Sequence, residues 1–317
     1  MSPRNDIDVP ISDWDGVHTF QSGSTTLGNP EYDIVLRDIV KKYFEERCET
    51  LRGQAAKDPQ EKSDLVRIER YLEDLKGTKP LPRAVTYEFL KNKHAKPKDH
   101  SELMKRAEEI AKKITERRVI LDAEIATATD PKVKSDLMAQ RKLFDQVPGS
   151  TEFLHQHCAD LHIVSKSLKE LILGTMLANG VTMKDVVMLE TKLADIREHP
   201  LNGVDVKYVE VMAIRKEHGD DVTYYVVDDD GKELASMEKG LAGVTYLAQT
   251  AGAGKVDFSE AGMQSQGRWN RAAVKAEDAA NPQTGKTQST YTSLGIFATK
   301  EDTSEKPEPM QGNVIKH

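Results

Sequence analysis

The chain has 317 residues, of which 38% are hydrophobic and 31% charged, with a net charge of −7. The apolar share is enough for one modest core, and the negative balance argues against nucleic acid as the main partner, because phosphate binding needs a basic surface. Two cysteines, Cys48 and Cys158, exclude a disulfide scaffold and point to a reducing compartment.

Met1 to Asp8 carries acidic residues and no apolar core, so no secretory signal peptide is expected. Residues 1–30 read as an irregular N-terminal arm, punctuated by Pro3, Pro10 and Pro30 with Gly16, Gly23 and Gly28. Trp14 and Phe20 are expected to anchor this arm on the body of the protein.

Residues 31–200 read as a helical bundle. One stretch occurs twice: Asp58-Pro59-Gln60-Glu61-Lys62-Ser63-Asp64-Leu65 and Asp130-Pro131-Lys132-Val133-Lys134-Ser135-Asp136-Leu137. Each copy follows a matching lead, Ile39-x-Lys41-Lys42 with Glu45-x-Arg47, then Ile110-x-Lys112-Lys113 with Glu116-x-Arg118. Asp at an N-cap accepts a hydrogen bond from an orphan N–H of the first turn. Pro at the next position has a φ suited to a helix start and lacks an N–H that would go unpaired. Asp58 and Asp130 are therefore expected as helix caps, and the whole as duplicated helical hairpins packed into a small bundle.

Helices are expected over 31–52, 59–76, 83–93, 101–126, 131–146 and 150–177, with a further one opened by Thr182 and Asp185. The longest apolar region, Leu171 to Leu177, is interrupted by Gly174 and Thr175 and is too short to span a membrane. Residues 201–251 read as a small antiparallel β-hairpin unit packed on the helices, with strands at Tyr208–Ile214 and Val222–Val227. Residues 252–317 read as a largely flexible tail. The fold class expected is thus mainly α with a small C-terminal antiparallel β unit, α+β overall.

The strongest chemical candidate is His155-Gln156-His157-Cys158-x-x-x-His162. On one continuous helix His155, Cys158 and His162 share a face, and Glu152 joins it a turn earlier. Imidazole and thiolate at this spacing could hold zinc, or Cys158 or Cys48 could act as a thiol nucleophile with a histidine base. The simpler expectation is a half-buried helical face with no cofactor. Asp228, Asp229 and Asp230 before Gly231 could hold calcium or magnesium, but the calcium-loop spacing is absent and a solvated turn is the better reading. Ala280 to Thr287 meets a relaxed phosphate-loop pattern without the strand and helix that the mechanism needs.

At the C-terminus Glu301, Glu305 and Glu308 lie among Ser, Thr and Pro, with Val314-Ile315 before Lys316-His317. This composition resembles the C-terminal export tails of substrates of bacterial type IV secretion systems. The resemblance implies a secreted effector that leaves a bacterial cytoplasm by a non-classical route and acts on a host protein. Because the pattern lacks a convincing catalytic constellation, the function expected from the sequence is a non-enzymatic adaptor that binds another protein. The alternatives are a metal- or thiol-dependent enzyme using Glu152, His155, Cys158 and His162, and a structural subunit of a larger assembly.

Overall fold

The computed structural model describes residues 8–20, 30–54, 58–77, 83–92, 95–195, 197, 206–220, 222–228, 230, 233, 236, 237, 240, 241, 245–250, 297 and 298. Strand β1 (Asp8–Ser12) is followed by helices α1 (Pro30–Gln54), α2 (Pro59–Asp74), α3 (Arg83–Lys91), α4 (His100–Thr127), α5 (Pro131–Lys142) and α6 (Ser150–His157). Then come β2 (His162–Ile163), α7 (Lys169–Ala178), α8 (Met183–Glu190), α9 (Val206–His218), β3 (Thr223–Asp228), β4 (Thr245–Thr250) and β5 (Phe297–Ala298). No described helix is long and apolar enough to cross a membrane.

The chain is mostly helical, as its composition and periodicity imply, but the sheet differs from the expectation. The strand order is β2-β1-β3-β4-β5. Strands β2, β1, β3 and β4 run parallel, and only β5 is antiparallel to its neighbour. The antiparallel hairpin expected over 201–251 is therefore corrected to part of a parallel sheet. Its first strand is instead helix α9. The stretch Tyr208 to Ile214 is rich in β-branched and aromatic residues, yet Lys207, Val211 and Ile214 are buried at helical spacing. Tyr208 and Met212 stand outside that stripe and are exposed. With a helix before β3, the connection back to the sheet can be parallel, as crossover connections require.

The arm read as irregular supplies β1, a central strand. Pro10 hid it, since proline cannot donate to a ladder. Among the described residues β2 reaches only Ile11 and Ser12, so no described strand flanks Pro10 on that side. Phe297 and Ala298 join the sheet edge; the rest of the tail expected to be flexible, 252–296 and 299–317, lies outside the described residues.

Helices α1 to α6 stand in the chain between β1 and β2 as one long insertion. Both Asp-Pro corners open helices as expected. Asp58 accepts from the Gln60 N–H at 2.8 Å, and Asp130 from the Lys132 N–H at 2.7 Å. The packing does not support a duplicated unit. Helix α2 buries Ile68, whereas α5 has no buried residue of its own. The expected long helix 150–177 is split: α6 ends at His157, the chain turns, and Leu161 to Val164 pass through the sheet.

The sheet is covered on both faces. Val9, Ile11, Tyr224 and Val226 pack with Val211 and Ile214 of α9. On the other face Val227 and Ile163 join Trp14, Phe153, Ile172 and Leu189. A second core joins α1, α2, α3 and α4 through Leu36, Phe44, Ile68, Phe89 and Ile110. Arg197 ties the two bodies: fully buried, it donates to Glu170 at 2.9 and 2.5 Å, to Asp195, and to the Ala95 carbonyl at 3.1 Å.

Gly174 is required where α7 crosses α4. A Cβ there would sit 2.6 Å from Ile110 Cγ2 and 2.8 Å from the Ala107 carbonyl oxygen. Gly174→Ala should therefore lower stability by about 1–3 kcal/mol, the usual cost of overpacking. Chemical denaturation measures it, and an unchanged midpoint would contradict this close approach.

Candidate functional site

The order of the parallel strands creates a particular place. After β1 the chain goes to β2 on one side; after β3 it goes to β4 on the other. Open α/β sheets bind ligands at such a switch point, in the crevice beyond the carboxyl ends of the two strands. Asp13 follows β1 directly, and Asp228 is the last residue of β3.

Asp13 is held from three directions. Its N–H donates to the Val227 carbonyl at 2.8 Å, which extends the ladder one step past β1. Oδ1 accepts from the Trp14 N–H at 2.7 Å. Oδ2 meets the Lys207 ammonium at 3.2 Å. Gly16, with a φ of 78°, turns the chain back immediately after Asp15. The Trp14 side chain plugs into the core and stacks on His18 with ring centroids 5.3 Å apart. His18 bridges the Ser12 and Ser150 hydroxyls at 2.9 Å each, and burial lowers its pKa to about 3. It is thus a neutral pin, not an acid or base. The Val147 N–H donates to the His18 carbonyl at 2.9 Å, so both ends of the helical insertion are fastened beside this loop.

Asp15 accepts from the Ser167 hydroxyl at 2.6 Å, and the Ser167 N–H donates to Ser165 Oγ at 3.3 Å. The loop after β2 is thereby joined to the loop after β1. Tyr32, in the first turn of α1, lies near enough for Asp15 to matter. Burial first, and then the Asp15 charge, raise its hydroxyl well above the ordinary range.

Lys207, in the first turn of α9, donates to Asp228 Oδ2 at 2.5 Å, while Asp228 Oδ1 accepts from the Asp230 N–H at 2.8 Å. Burial works against the Lys207 charge, but Asp13 and Asp228 outweigh it and hold the ammonium protonated. Burial, and then the repulsion of Asp13, push the Asp228 carboxyl up to about 8 against the pull of Lys207. The two upward shifts look contradictory for one ion pair. They follow from one imbalance, since two buried carboxylates share a single ammonium.

The residues singled out in the sequence fall into two other places. Glu152 and His155 are exposed on α6. His155 Nδ1 lies 2.8 Å from Asp185 Oδ2, and Cys158 Sγ lies 3.6 Å from Asp185 Oδ1. Burial and the Asp185 charge raise the Cys158 thiol, which keeps it protonated and weak as a nucleophile or metal ligand. Cys48 is likewise raised by burial. His162 is not on their helix. It sits in β2, with its Nε2 3.0 Å from Nε2 of His218 at the end of α9. The shared helical face assumed for Glu152, His155, Cys158 and His162 is therefore replaced by two separate groups.

Asp13, Asp15 and Lys207 were missed in the sequence, and Asp228 was weighed only as part of a turn. The signal available was Asp13-Trp14-Asp15-Gly16 one residue after the apolar Val9-Pro10-Ile11, together with Val226-Val227-Asp228. A cleft of about 260 Å³ adjoins His162 and Glu217, and another of about 140 Å³ lies between α1 and α4. Neither is walled by Asp13, Asp15 or Asp228, so chemistry and not cavity size singles out the carboxylate edge. Comparison with protein-family models, with curated proteins and with solved structures found no match.

The Asp228 shift has a measurable sign. In the folded chain this carboxyl holds its proton up to about pH 8, and in the unfolded chain only below about pH 4. The folded state binds the extra proton between those values, so this group's contribution to stability is lost as pH rises through them. Lys207 stays protonated in both states over the same window and does not offset it. Asp228→Asn removes the titrating group. In buffer with EDTA, the melting temperature of the variant minus that of the wild type should rise from about pH 5 to about pH 8. A flat or falling difference would contradict the assignment.

Proposed function

We propose that the chain is a divalent-cation-dependent hydrolase of phosphate monoesters that works through a phosphorylated Asp13. The supporting observation is the meeting of Asp13, Asp15, Asp228 and Lys207 at the crevice between β1 and β3. Phosphoryl transfer asks little covalent chemistry of a protein and much positioning and charge compensation. A carboxylate is an adequate nucleophile toward phosphorus when it is held in place.

Lys207 offsets the Asp13 carboxylate, and burial first, then the Asp13 charge, keep the proton on Asp228, so an ionised Asp228 together with a phosphate dianion would need a further cation. The oxygen-rich donor set suits a hard cation, and magnesium is typically bound by one or two carboxylates plus substrate phosphate. Asp13 and Asp228 would hold it. When bound, it supplies charge neutralisation for the carboxylates and the phosphate oxygens.

The roles follow from the contacts. Asp228 has both oxygens engaged and is fully buried, which suits a supporting ligand. Each Asp13 oxygen holds one hydrogen-bonding partner and keeps a second lone pair. An Asp13 oxygen attacks phosphorus, the bond from phosphorus to the ester oxygen breaks, and the departing oxygen takes a proton from the Asp15 carboxyl. Free alcohol and an acyl phosphate on Asp13 result. Asp15 then removes a proton from water, the hydroxide attacks phosphorus, and the bond to Asp13 breaks. Phosphate leaves, Asp13 is again a carboxylate and Asp15 again holds a proton. Ser167 orients Asp15, and Lys207 orients Asp13 and offsets its charge. The helical insertion, fastened at His18 and Val147, brings Tyr32 beside Asp15 and is the natural source of substrate selectivity.

The adaptor role expected from the sequence has less to favour it. The exposed apolar side chains of α4 and α5, such as Val119, Ile120, Val133 and Met138, are of the kind that most surfaces carry.

The test is hydrolysis of para-nitrophenyl phosphate and a panel of phosphate monoesters with magnesium and with EDTA. Activity should require magnesium. Asp13→Asn should lower kcat at least about a thousandfold, and Asp15→Asn about a hundredfold or more. Acid quenching with radiolabelled substrate should trap hydroxylamine-labile phosphate on the wild type and none on Asp13→Asn. No hydrolysis across the panel, or turnover indifferent to Asp13→Asn, would contradict the reading.

A further inference from the structure

Helix α9 carries one inward stripe, the buried Lys207, Val211 and Ile214 and the half-buried His218, at spacings of four, three and four residues. Lys207 lies at the carboxylate edge. His218 lies at the other end of the helix, about 16 Å away for an α-helical rise. There it meets His162 at the start of β2. We infer that His162, Glu217 and His218 form a second cation site, distinct from the carboxylate edge, that takes a borderline transition-metal ion of the zinc class.

The geometry of the two imidazoles carries the inference. Their Nε2 atoms are 3.0 Å apart, and their ring centroids 5.1 Å, with the planes nearly perpendicular. Two imidazoles on one tetrahedral zinc, with bonds of about 2.0–2.1 Å, place their ligating nitrogens about 3.3 Å apart and their ring centres about 5.2 Å apart. The pair therefore stands within a few tenths of an ångström of a ligating arrangement. His162 comes from a strand and His218 from a helix end, so no single element's periodicity produces the convergence.

A carboxylate completes the set. A Glu217 oxygen and the two imidazole nitrogens all lie within 4.8 Å of one another. Glu217 Oε1 lies 3.8 Å from His218 Nε2, and the same oxygen takes Lys192 Nζ at 3.1 Å, so Lys192 competes with a metal for it. The cleft of about 260 Å³ has His162, Glu217 and Lys192 in its wall and gives a fourth position access to water or a small ligand. Two imidazoles and one carboxylate favour zinc and its neighbours over magnesium or calcium, which take oxygen.

Such an ion would staple the start of β2 to the end of α9. It would act on the helix whose opposite end aims Lys207 at Asp13 and Asp228. The inference does not rest on the phosphoryl-transfer reading, and its test does not measure turnover.

The test uses the full chain without a polyhistidine tag, stripped with EDTA and dialysed, and then titrated with zinc against a chromogenic chelator. The wild type should bind one equivalent at this site. His218→Ala should weaken that binding roughly a hundredfold. Glu217→Gln, at a largely exposed position that is safe for folding, should weaken it roughly tenfold. Lys192→Met, which removes a competing cation, should strengthen it. Asp13→Asn should leave it unchanged, which separates this site from the carboxylate edge. A wild type that takes up no zinc, zinc held as tightly by His218→Ala and Glu217→Gln as by the wild type, or binding lost in Asp13→Asn would overturn the proposal.

Discussion

The Lys207 ammonium lies between the Asp13 and Asp228 carboxylates with almost no solvent to share the charge. Breaking such a buried contact by removing one partner leaves an uncompensated charge and costs several kcal/mol. The surrounding structure holds the three groups together. Strands β1 and β3 must run parallel and adjacent for their last residues to meet. Helix α9 must start at Val206 and lie with Val211 and Ile214 on the sheet for Lys207 to reach both carboxylates. The Trp14 plug and the neutral His18 pin fix the loop that carries Asp13 and Asp15.

The helical insertion gives that edge its surroundings. It begins after the Asp13 loop and ends with α6, whose first residue, Ser150, bonds His18, so α1 through α6 are tethered at the place where the acidic groups gather. Its own core, through Phe44, Phe89 and Ile110, makes it a body in its own right. Arg197, with Glu170, Asp195 and the Ala95 carbonyl, locks part of that body against the loops after α8. A scaffold of this kind separates two tasks. On the proposed reading, the sheet edge would position the chemistry and the insertion would decide what approaches it.

The helices were largely legible because their signals are local. Asp58-Pro59 and Asp130-Pro131 act through residues two positions away, and the apolar stripe of α4 repeats within its own length. The sheet was not legible, because its signals are distant. A five-residue strand containing Pro10 carries little pattern. The partners of β1 lie about 150 and 215 residues further along the chain. The stretch Tyr208 to Ile214 satisfied strand composition while its buried residues kept helical spacing, and tertiary packing decided between them. The chemical residues suffered the same way. Asp13, Asp15, Lys207 and Asp228 are ordinary charges in sequence and come together only when two strand ends and a helix start converge. His162 was chosen for its proximity to Cys158 along the chain, but its partner is His218, 56 residues away.

The central claim, that Asp13 and Asp228 share one buried ammonium, so that Asp228 keeps its proton until a divalent cation replaces it, is open to carbon-13 NMR. The chain is labelled at its aspartate carboxyl carbons, and Asp228 is assigned by comparison with Asp228→Asn. Without magnesium, the Asp228 signal should titrate near pH 8, far above the ordinary aspartate range of about 4. Saturating magnesium should bring it down by several pH units. Titration of Asp228 in the ordinary range, unchanged by magnesium, would contradict the account.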